Sequence, residues 1–467
     1  VRLDGLPLAI ELAGAYLRYR SGASFAGYQE LLGESTTSAL YQTTFDSFTK
    51  HDADIASALV VHEALIEEAP ALPDVLRALT WSASAAVSRS LLAALLPKHS
   101  PGALRQALDN GVSIRLLRRV PDADRYAIHR LVAEVRREQV EPPIDWLLAT
   151  ARRLADWFEE RRNEFDQLEA YEADLDHLDE WTRRVEPHDP ALAARLMWLQ
   201  AYPPYHRGQP DLILDRLEQA RTLFDTSGAD DPEFDSHLLH DLSTALWMKG
   251  RHPEALPPAE AALAARRSTL GEGHPETARS LANIGTTLHE LGRHEEALKK
   301  AEAALTLRGK ALGGEHPETA HSLASVGAVL HSLGRHEEAL ERTEAALAAR
   351  RAALGEGHPD TAHSLAGVGA VLHSLGRHEK AQNRLETAIG YLDESLGESH
   401  SVTLDIVGHL AAVYAARKQA RRGLLLVKSR MRLADKALPV YAKLRALRAD
   451  LSRQVPGTRQ RPRKRRK

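Results

Sequence analysis

HPETARSLANIGTTLHELGRHEEALKKAEAALTLRGKALG, residues 274–313, is the stretch on which the fold turns. Its landmarks return every 42 residues: His274, His316, His358 and His400; Gly250, Gly292, Gly334 and Gly376; Gly271, Gly313, Gly355 and Gly397. Three kinds of landmark on one period mark a repeat architecture, because each unit must punctuate its helices at the same places.

Each unit reads as a helical hairpin. Pro275, Pro317 and Pro359 suit a first helical turn, where a missing N–H costs nothing, and Glu276, Glu318 and Asp360 complement the positive end of the helix dipole. Leu281, Ile284, Gly285 and Leu288, then Leu323, Val326, Gly327 and Leu330, recur at helical spacing and define the buried face of helix A. Leu-Gly-Arg-His (291–294, 333–336, 375–378) ends that helix in a tight turn with glycine at positive φ. Helix B returns antiparallel, with Ala297, Ala339 and Ala381 where the helices cross closely and a left-handed cap expected at Gly313 and Gly355.

These residues resemble the tetratricopeptide repeat in the 42-residue form known from kinesin light chain and from many bacterial regulators. The match is clearest in the three units starting at His274, His316 and His358, with weaker copies on either side. Upstream, Leu239, Leu242, Leu246, Gly250 and Ala255 keep the register; downstream, Ser401 replaces the proline and Lys418 the turn glycine. The array is expected over 190–436. Hairpins of this kind bury their apolar faces only by stacking, and the stack presents an extended concave surface. The resemblance places helix A along that groove, which makes Arg279, Asn283, Thr286 and His289 candidates for partner binding, followed by His321, Ser325 and His331 and then His363 and His373. The partner implied is a protein or peptide. An asparagine at the Asn283 position often pairs with a ligand backbone in the family, and here only that repeat keeps it.

His289, His331 and His373 form one row and His321 with His363 a second, a pattern that raises metal binding or pH sensing. Neighbouring repeats set them about 10 Å apart, too far for one ion with bonds near 2 Å, so they are read as polar residues copied with the repeat, with no metal site. His274, His316, His358 and His400 are read as cap residues.

The N-terminal third carries a second resemblance. Gly5-Leu6-Pro7-Leu8 resembles the GLPL motif of NB-ARC (STAND) signalling ATPases, and Ile128-His129-Arg130 stands where that family has a Met-His-Asp motif closing a winged-helix-like domain. The order of motif, winged helix, histidine and repeats matches that architecture. It implies a remnant of the NB-ARC helical subdomain over 1–35, a winged-helix-like domain over 36–143, linker helices over 144–189 and, past the array, a C-terminal helix and basic tail over 437–467. Pro7 and His129 would be nucleotide-adjacent only if an upstream domain supplied the phosphate-binding loop. No GxxxxGK[ST] occurs in the chain, so no cofactor is expected here, with ADP or ATP belonging to such an upstream domain. The chain opens at Val1 already inside an amphipathic pattern, which suggests truncation.

Composition agrees with an all-α chain, an α-solenoid preceded by the small winged-helix-like domain: 43% of the 467 residues are hydrophobic and only 5% aromatic. The absence of cysteine removes disulfides, thiolate zinc sites and a cysteine nucleophile. Neither G-x-S-x-G nor HExxH occurs, and the Glu295-Glu296 and Glu337-Glu338 pairs sit where acids favour the start of helix B, so no catalytic residue is assigned. A net charge of −3 gives no general attraction to nucleic acid or acidic lipid, and no segment reads as a membrane span or leader. A cytoplasmic protein is the default. Arg459 to Lys467, seven of nine residues basic, is the one segment suited to phosphates. It leaves open an alternative role as a transcriptional or nucleic-acid-associated regulator using the same repeat sensor.

Overall fold

In a computed structural model, residues 69–455 are described apart from 84, 122, 140, 163–167, 204–208, 435, 437 and 438, together with 16, 17, 24, 26, 27 and 66. The GLPL motif with Pro7 and the basic segment 459–467 lie outside the described residues. The chain divides into two compact units at Phe234 and Asp235.

In the first unit, α1 (Leu72–Trp81) buries Leu72, Val75, Leu76 and Leu79. β1 (Val87–Ser88), α2 (Arg89–Leu95), α3 (Pro101–Ser113), β2 (Leu117–Arg119), β3 (Arg125–Ile128) and α4 (Arg130–Gln139) follow. The strands form an antiparallel sheet in the order β1-β3-β2, with Val87 opposite Tyr126 and Leu117 opposite Ile128. Ser88 and Ser100 cap α2 and α3 by accepting from Leu91 and Ala103 N–H.

Among the described residues there follow α5 (Ile144–Arg161), α6 (Leu168–Ala173), α7 (Leu175–Val185), α8 (Pro190–Leu199) and α9 (Pro210–Ser227). Their aromatic residues are core: Trp157, Phe158, Tyr171 and Trp181 are buried, and the Phe158 and Tyr171 rings meet edge to face at 4.7 Å. The buried Asp174 carboxylate ties this layer to the sheet, accepting from Arg125 Nη2 at 2.6 Å and Ser88 Oγ at 2.8 Å. An unpaired charge there would be costly, and this node supplies the partners.

The second unit is the expected solenoid. Its hairpins are α10 (Pro232–Met248) with α11 (His252–Thr269), α12 (Pro275–Glu290) with α13 (His294–Leu312), α14 (Pro317–Ser332) with α15 (His336–Leu354), α16 (Pro359–Ser374) with α17 (His378–Ser395), and α18 (Ser401–Ala416) with α19 (Ala420–Leu433). A single helix, α20 (Pro439–Gln454), packs on α18 and α19. Helix A of the three regular hairpins starts at the proline, and the preceding histidine is its cap: Nδ1 of His274, His316 and His358 accepts the N–H of Glu276, Glu318 and Asp360 at 3.1–3.2 Å. The cap reading of those histidines therefore holds.

Within a hairpin the helices cross at the glycine of helix A. A Cβ on Gly285 would stand 3.3 Å from the Ala301 nitrogen and 3.4 Å from the Ala297 carbonyl oxygen; on Gly369 it would reach 2.7 Å from Leu385 Cγ. The alanines thus supply half of the close approach and these glycines the other half. The caps of helix B differ from expectation. Gly313 and Gly355 have φ of 89° and 86° with ψ of 164° and 169°, a region essentially closed to side chains, instead of the left-handed helical region.

Neighbouring hairpins are joined by a feature the sequence reading missed. Arg266, Arg308 and Arg350, 42 residues apart near the end of helix B, are buried. Arg308 Nη1 donates to the Glu318 carbonyl at 3.1 Å and to Ser322 Oγ at 2.9 Å in the following helix A, and Nη2 pairs with the Glu318 carboxylate at 2.7 Å. Arg266 makes the same bonds to Glu276 and Ser280, and Arg350 those to the Asp360 carbonyl and Ser364. A planar five-donor head suits this multiple bonding, as an ammonium would not.

Candidate functional site

Stacking brings α12, α14, α16 and α18 to one side of the second unit, and a cavity of about 710 Å³ opens there. Gly285, Thr286, His289 and Glu290 of α12 line it, continued by Ser325, Ala328, His331 and Ser332 of α14 and by His363 of α16. Its far end is closed by Leu404, Asp405, Gly408 and His409 of α18 and by Val440, Lys443, Leu444 and Leu447 of α20. The wall thus changes along its length from hydroxyl and imidazole groups to an apolar end whose rim carries Lys443, 3.5 Å from Asp405.

Of the groove residues anticipated from sequence, Thr286, His289, Ser325, His331 and His363 line this cavity. Arg279, Asn283, His321 and His373 lie elsewhere on helix A. Arg279 is half exposed beside Glu276 at 3.5 Å. Asn283 points its amide at α10, within 3.4 Å of Ser243 Oγ and Thr244 Oγ1 and 3.5 Å from His240 Nδ1. His321 Nδ1 faces Arg350 Nη2 at 3.3 Å, and His373 faces His378 with its Nδ1 3.1 Å from the other. The hydroxyls of Thr286 and Ser325 bond carbonyls of their own helix, those of Ala282 and His321, at 3.0 Å. Along this stretch the wall therefore presents its shape and imidazoles.

Asp405 and His409 were missed, although the period reaches them: they stand 42 residues beyond His363 and Gly367. The degraded punctuation of the last hairpin hid that register. Val440, Lys443, Leu444 and Leu447 belong to a helix with no counterpart in the repeat, and no periodic signal could have found them.

His321 and His363 are open to water yet flanked by protein on most sides. That surrounding desolvates the cation and, with Arg350 as a like charge, lowers both pKa values below the ordinary 6.5. Burial does the same for His289 and His331. These helix A imidazoles are therefore held neutral at pH 7, offering one donor and one acceptor nitrogen each.

The first unit holds a second concavity of about 520 Å³, lined by Arg115, Arg118, Arg119, His129, Arg130 and Arg137 among apolar residues and, among the described residues, by no acidic side chain. His129 is exposed just before α4, its carbonyl accepting the Ala133 N–H at 3.0 Å. Arg137 is committed to structure, donating to the Thr80 and Ser82 carbonyls at 2.7 and 3.0 Å. Among the described residues no group of three or more His, Asp or Glu is placed to hold a metal ion, and no helix is long and apolar enough to cross a membrane.

Residues 234–310, 276–352 and 325–394 match the tetratricopeptide repeat family profile in overlapping windows. Among solved structures the chain is similar to a signal transduction ATPase with numerous domains from Pyrococcus horikoshii that carries a tetratricopeptide repeat sensor. The identity is 16% over 96% of this chain and 69% of that one, with a TM-score of 0.53, a likeness of fold. It is also similar to the nearly identical repeats of a kinesin light chain from Podosopora anserina, at 23% identity over 47% of this chain and 99% of that one, with a TM-score of 0.37. BtubC from P. vanneervenii aligns at 19% identity over 55% of this chain and 94% of that one, with a TM-score of 0.40. No curated protein sequence matches the chain.

Proposed function

We propose that these tetratricopeptide repeats are the sensor of a signalling protein and that the groove of the second unit receives a peptide or a peptide-like segment of a partner. The observation that carries this reading is the open cavity of about 710 Å³ whose wall is assembled from successive helix A elements. That volume is within the range of about 300–1,000 Å³ in which proteins hold ligands. The buried arginines Arg266, Arg308 and Arg350 fix three consecutive junctions between hairpins, so the wall is organised before a ligand arrives and little ordering is lost on binding. The apolar end at Leu404, Val440, Leu444 and Leu447 accounts for affinity, and the neutral histidines for register.

The direct test is selection of peptides from a random library against the purified chain, followed by anisotropy titration of the winners against an Ala328→Trp variant. Ala328 is exposed on the groove wall, so the indole fills the groove without disturbing the core. The reading expects binding to fall at least tenfold. Equal affinity for both proteins would place the peptide elsewhere and end the proposal.

The same reading makes the chain the sensor half of an NB-ARC-type regulator, with ADP or ATP held by an upstream domain and His129 close to its phosphates. The arginine-lined concavity beside His129 supports a phosphate-bearing neighbour, since Arg115, Arg118 and Arg119 flank it with no acid among the described lining residues. In a protein that carries the nucleotide domain, His129→Ala and Arg118→Ala should each weaken ADP retention measured by filter binding. Unchanged retention in both would remove His129 from that role.

A further inference from the structure

The sequence considered histidines across neighbouring repeats and found them too far apart; the fold pairs them within each hairpin instead. His289 stands next to the end of α12 and His294 opens α13, and the Leu-Gly-Arg turn between them folds the two rings together. Ring centroids are 5.1 Å apart in His289 and His294, 5.1 Å in His331 and His336, and 5.0 Å in His373 and His378, with interplanar angles of 50–52°. One geometry recurs three times.

The ring nitrogens are close in one pair and buried without a partner in the other two. Nδ1 of His373 and Nδ1 of His378 are 3.1 Å apart. Nδ1 of His289, His294 and His336 is buried with no hydrogen-bond partner. A buried ring nitrogen left unpaired is costly, and its recurrence at one place in the repeat asks for an explanation. His331 adds a further sign: its Nε2 bonds Ser374 Oγ at 2.7 Å, which holds the ring in place and leaves Nδ1 as its second nitrogen.

Two metal–nitrogen bonds of about 2.0–2.1 Å meeting at about 100° span about 3.1 Å between the nitrogens. We propose that each of the three turns is a two-imidazole clamp for a divalent ion of the copper, nickel or zinc class, with water completing its coordination. Imidazole is the donor these ions share, and calcium and magnesium, which take oxygen, are excluded.

The flanking hairpins supply internal controls. One period upstream the pair is Trp247 and His252, 6.2 Å apart, and an indole offers no lone pair in the ring plane. One period downstream the positions are Ala415 and Ala420. The clamp is thus confined to three consecutive turns. Each ion would pin helix A to helix B beside the groove and stiffen the wall.

The test is equilibrium dialysis of the full chain against Ni²⁺, comparing His294→Phe, His336→Phe and His378→Phe with the parent. Phenylalanine keeps the ring stack and removes the nitrogens. Each variant should bind one ion fewer, whereas the capping variant His358→Asn should bind as many as the parent. Unchanged stoichiometry in the three, or an equal loss in His358→Asn, would overturn the assignment. Electron paramagnetic resonance of Cu²⁺ on the unaltered chain gives an independent reading free of any folding defect. Hyperfine structure from two nitrogens per ion is expected, and single-nitrogen spectra at low loading would also overturn it.

Discussion

The regular hairpins α12–α17 and the terminal hairpin α18–α19 follow one plan with different punctuation. In the regular units helix A opens on proline, the turn holds a glycine at φ of 73–76°, and two of the three helices B carry a buried arginine that reaches the next unit. In the terminal unit Ser401 replaces the proline and Lys418 takes the turn at φ of 63°. The arginine also changes direction. Leu392 stands where α17 would carry it, and Arg430, near the end of α19, pairs with Asp393 at the end of α17 and with Glu398 before α18. From α11, α13 and α15 the guanidinium grips forward; at the α17–α18 junction Arg430 of α19 grips back, and α20 packs on α18 and α19. The staple is therefore a property of the junction between units.

The largest break in this comparison is at the forward staple. Arg308→Ala empties a buried site and leaves the Ser322 hydroxyl and Glu318 carbonyl without their donor, with an expected loss of about 3–5 kcal/mol in denaturant unfolding. A loss under about 1 kcal/mol, the scale of surface ion pairs, would show that the junction is held by apolar packing alone. Gly369→Val comes next: with a Cβ 2.7 Å from Leu385 Cγ, the crossing must open, at about 1–3 kcal/mol by the same measurement.

Exchanging punctuation between the units sharpens the comparison. Lys418→Gly relieves a side chain from positive φ and should raise stability by up to about 1 kcal/mol, while Gly376→Lys, one period earlier at φ 74°, should lower it by a similar amount. Equal effects of one sign would mean that packing outweighs backbone conformation there.

Acid should act on the array through the histidines of helix A. His321 and His363 have folded pKa values below the unfolded 6.5, so the unfolded chain takes up protons first as pH falls. Their stabilising contribution is complete above about pH 6.5 and is lost as pH drops through the lowered folded values. A His321→Gln, His363→Gln variant should show a flatter melting temperature between pH 7 and pH 5 than the parent. An identical slope would show that these histidines do not drive the acid response.

The smallest effect belongs to the exposed turn pairs. Arg293 pairs with Glu296 and Arg335 with Glu338, each three residues on, but Lys380 occupies the acid's place in the third unit and Arg377 reaches instead to Glu337 of the previous one at 2.9 Å. Lys380→Glu should restore the local pair and add about 0.2–0.5 kcal/mol, at the limit of calorimetric resolution.

Much of this could be read along the chain because it is local. A proline fits a first turn, a histidine caps the N–H two residues on, and a glycine takes positive φ wherever it stands, so hairpin limits follow from residues a few positions apart. The crossing was half legible: Ala297 was recognised as small, and its partner Gly285 was assigned only to the apolar face. The arginine staple was hidden in plain periodicity, since an arginine near a helix end ordinarily reads as solvated and its burial depends on a serine 14 residues later in another helix. The groove was legible in its elements and less so in its residues. Asn283 and His321 lie on the anticipated helices, yet neighbouring helices engage their side chains.

The sequence by itself determined a solenoid of 42-residue hairpins, where each begins, turns and stops, and which helix of each pair faces its neighbours, because a period and its breakers are encoded within one turn of chain. Only the tertiary structure decided which helix A side chains reach the cavity, that the histidines pair across turns, and that α18 and α20 close the groove. Those outcomes depend on the angle at which one hairpin packs on the next, a quantity set by contacts between residues tens of positions apart.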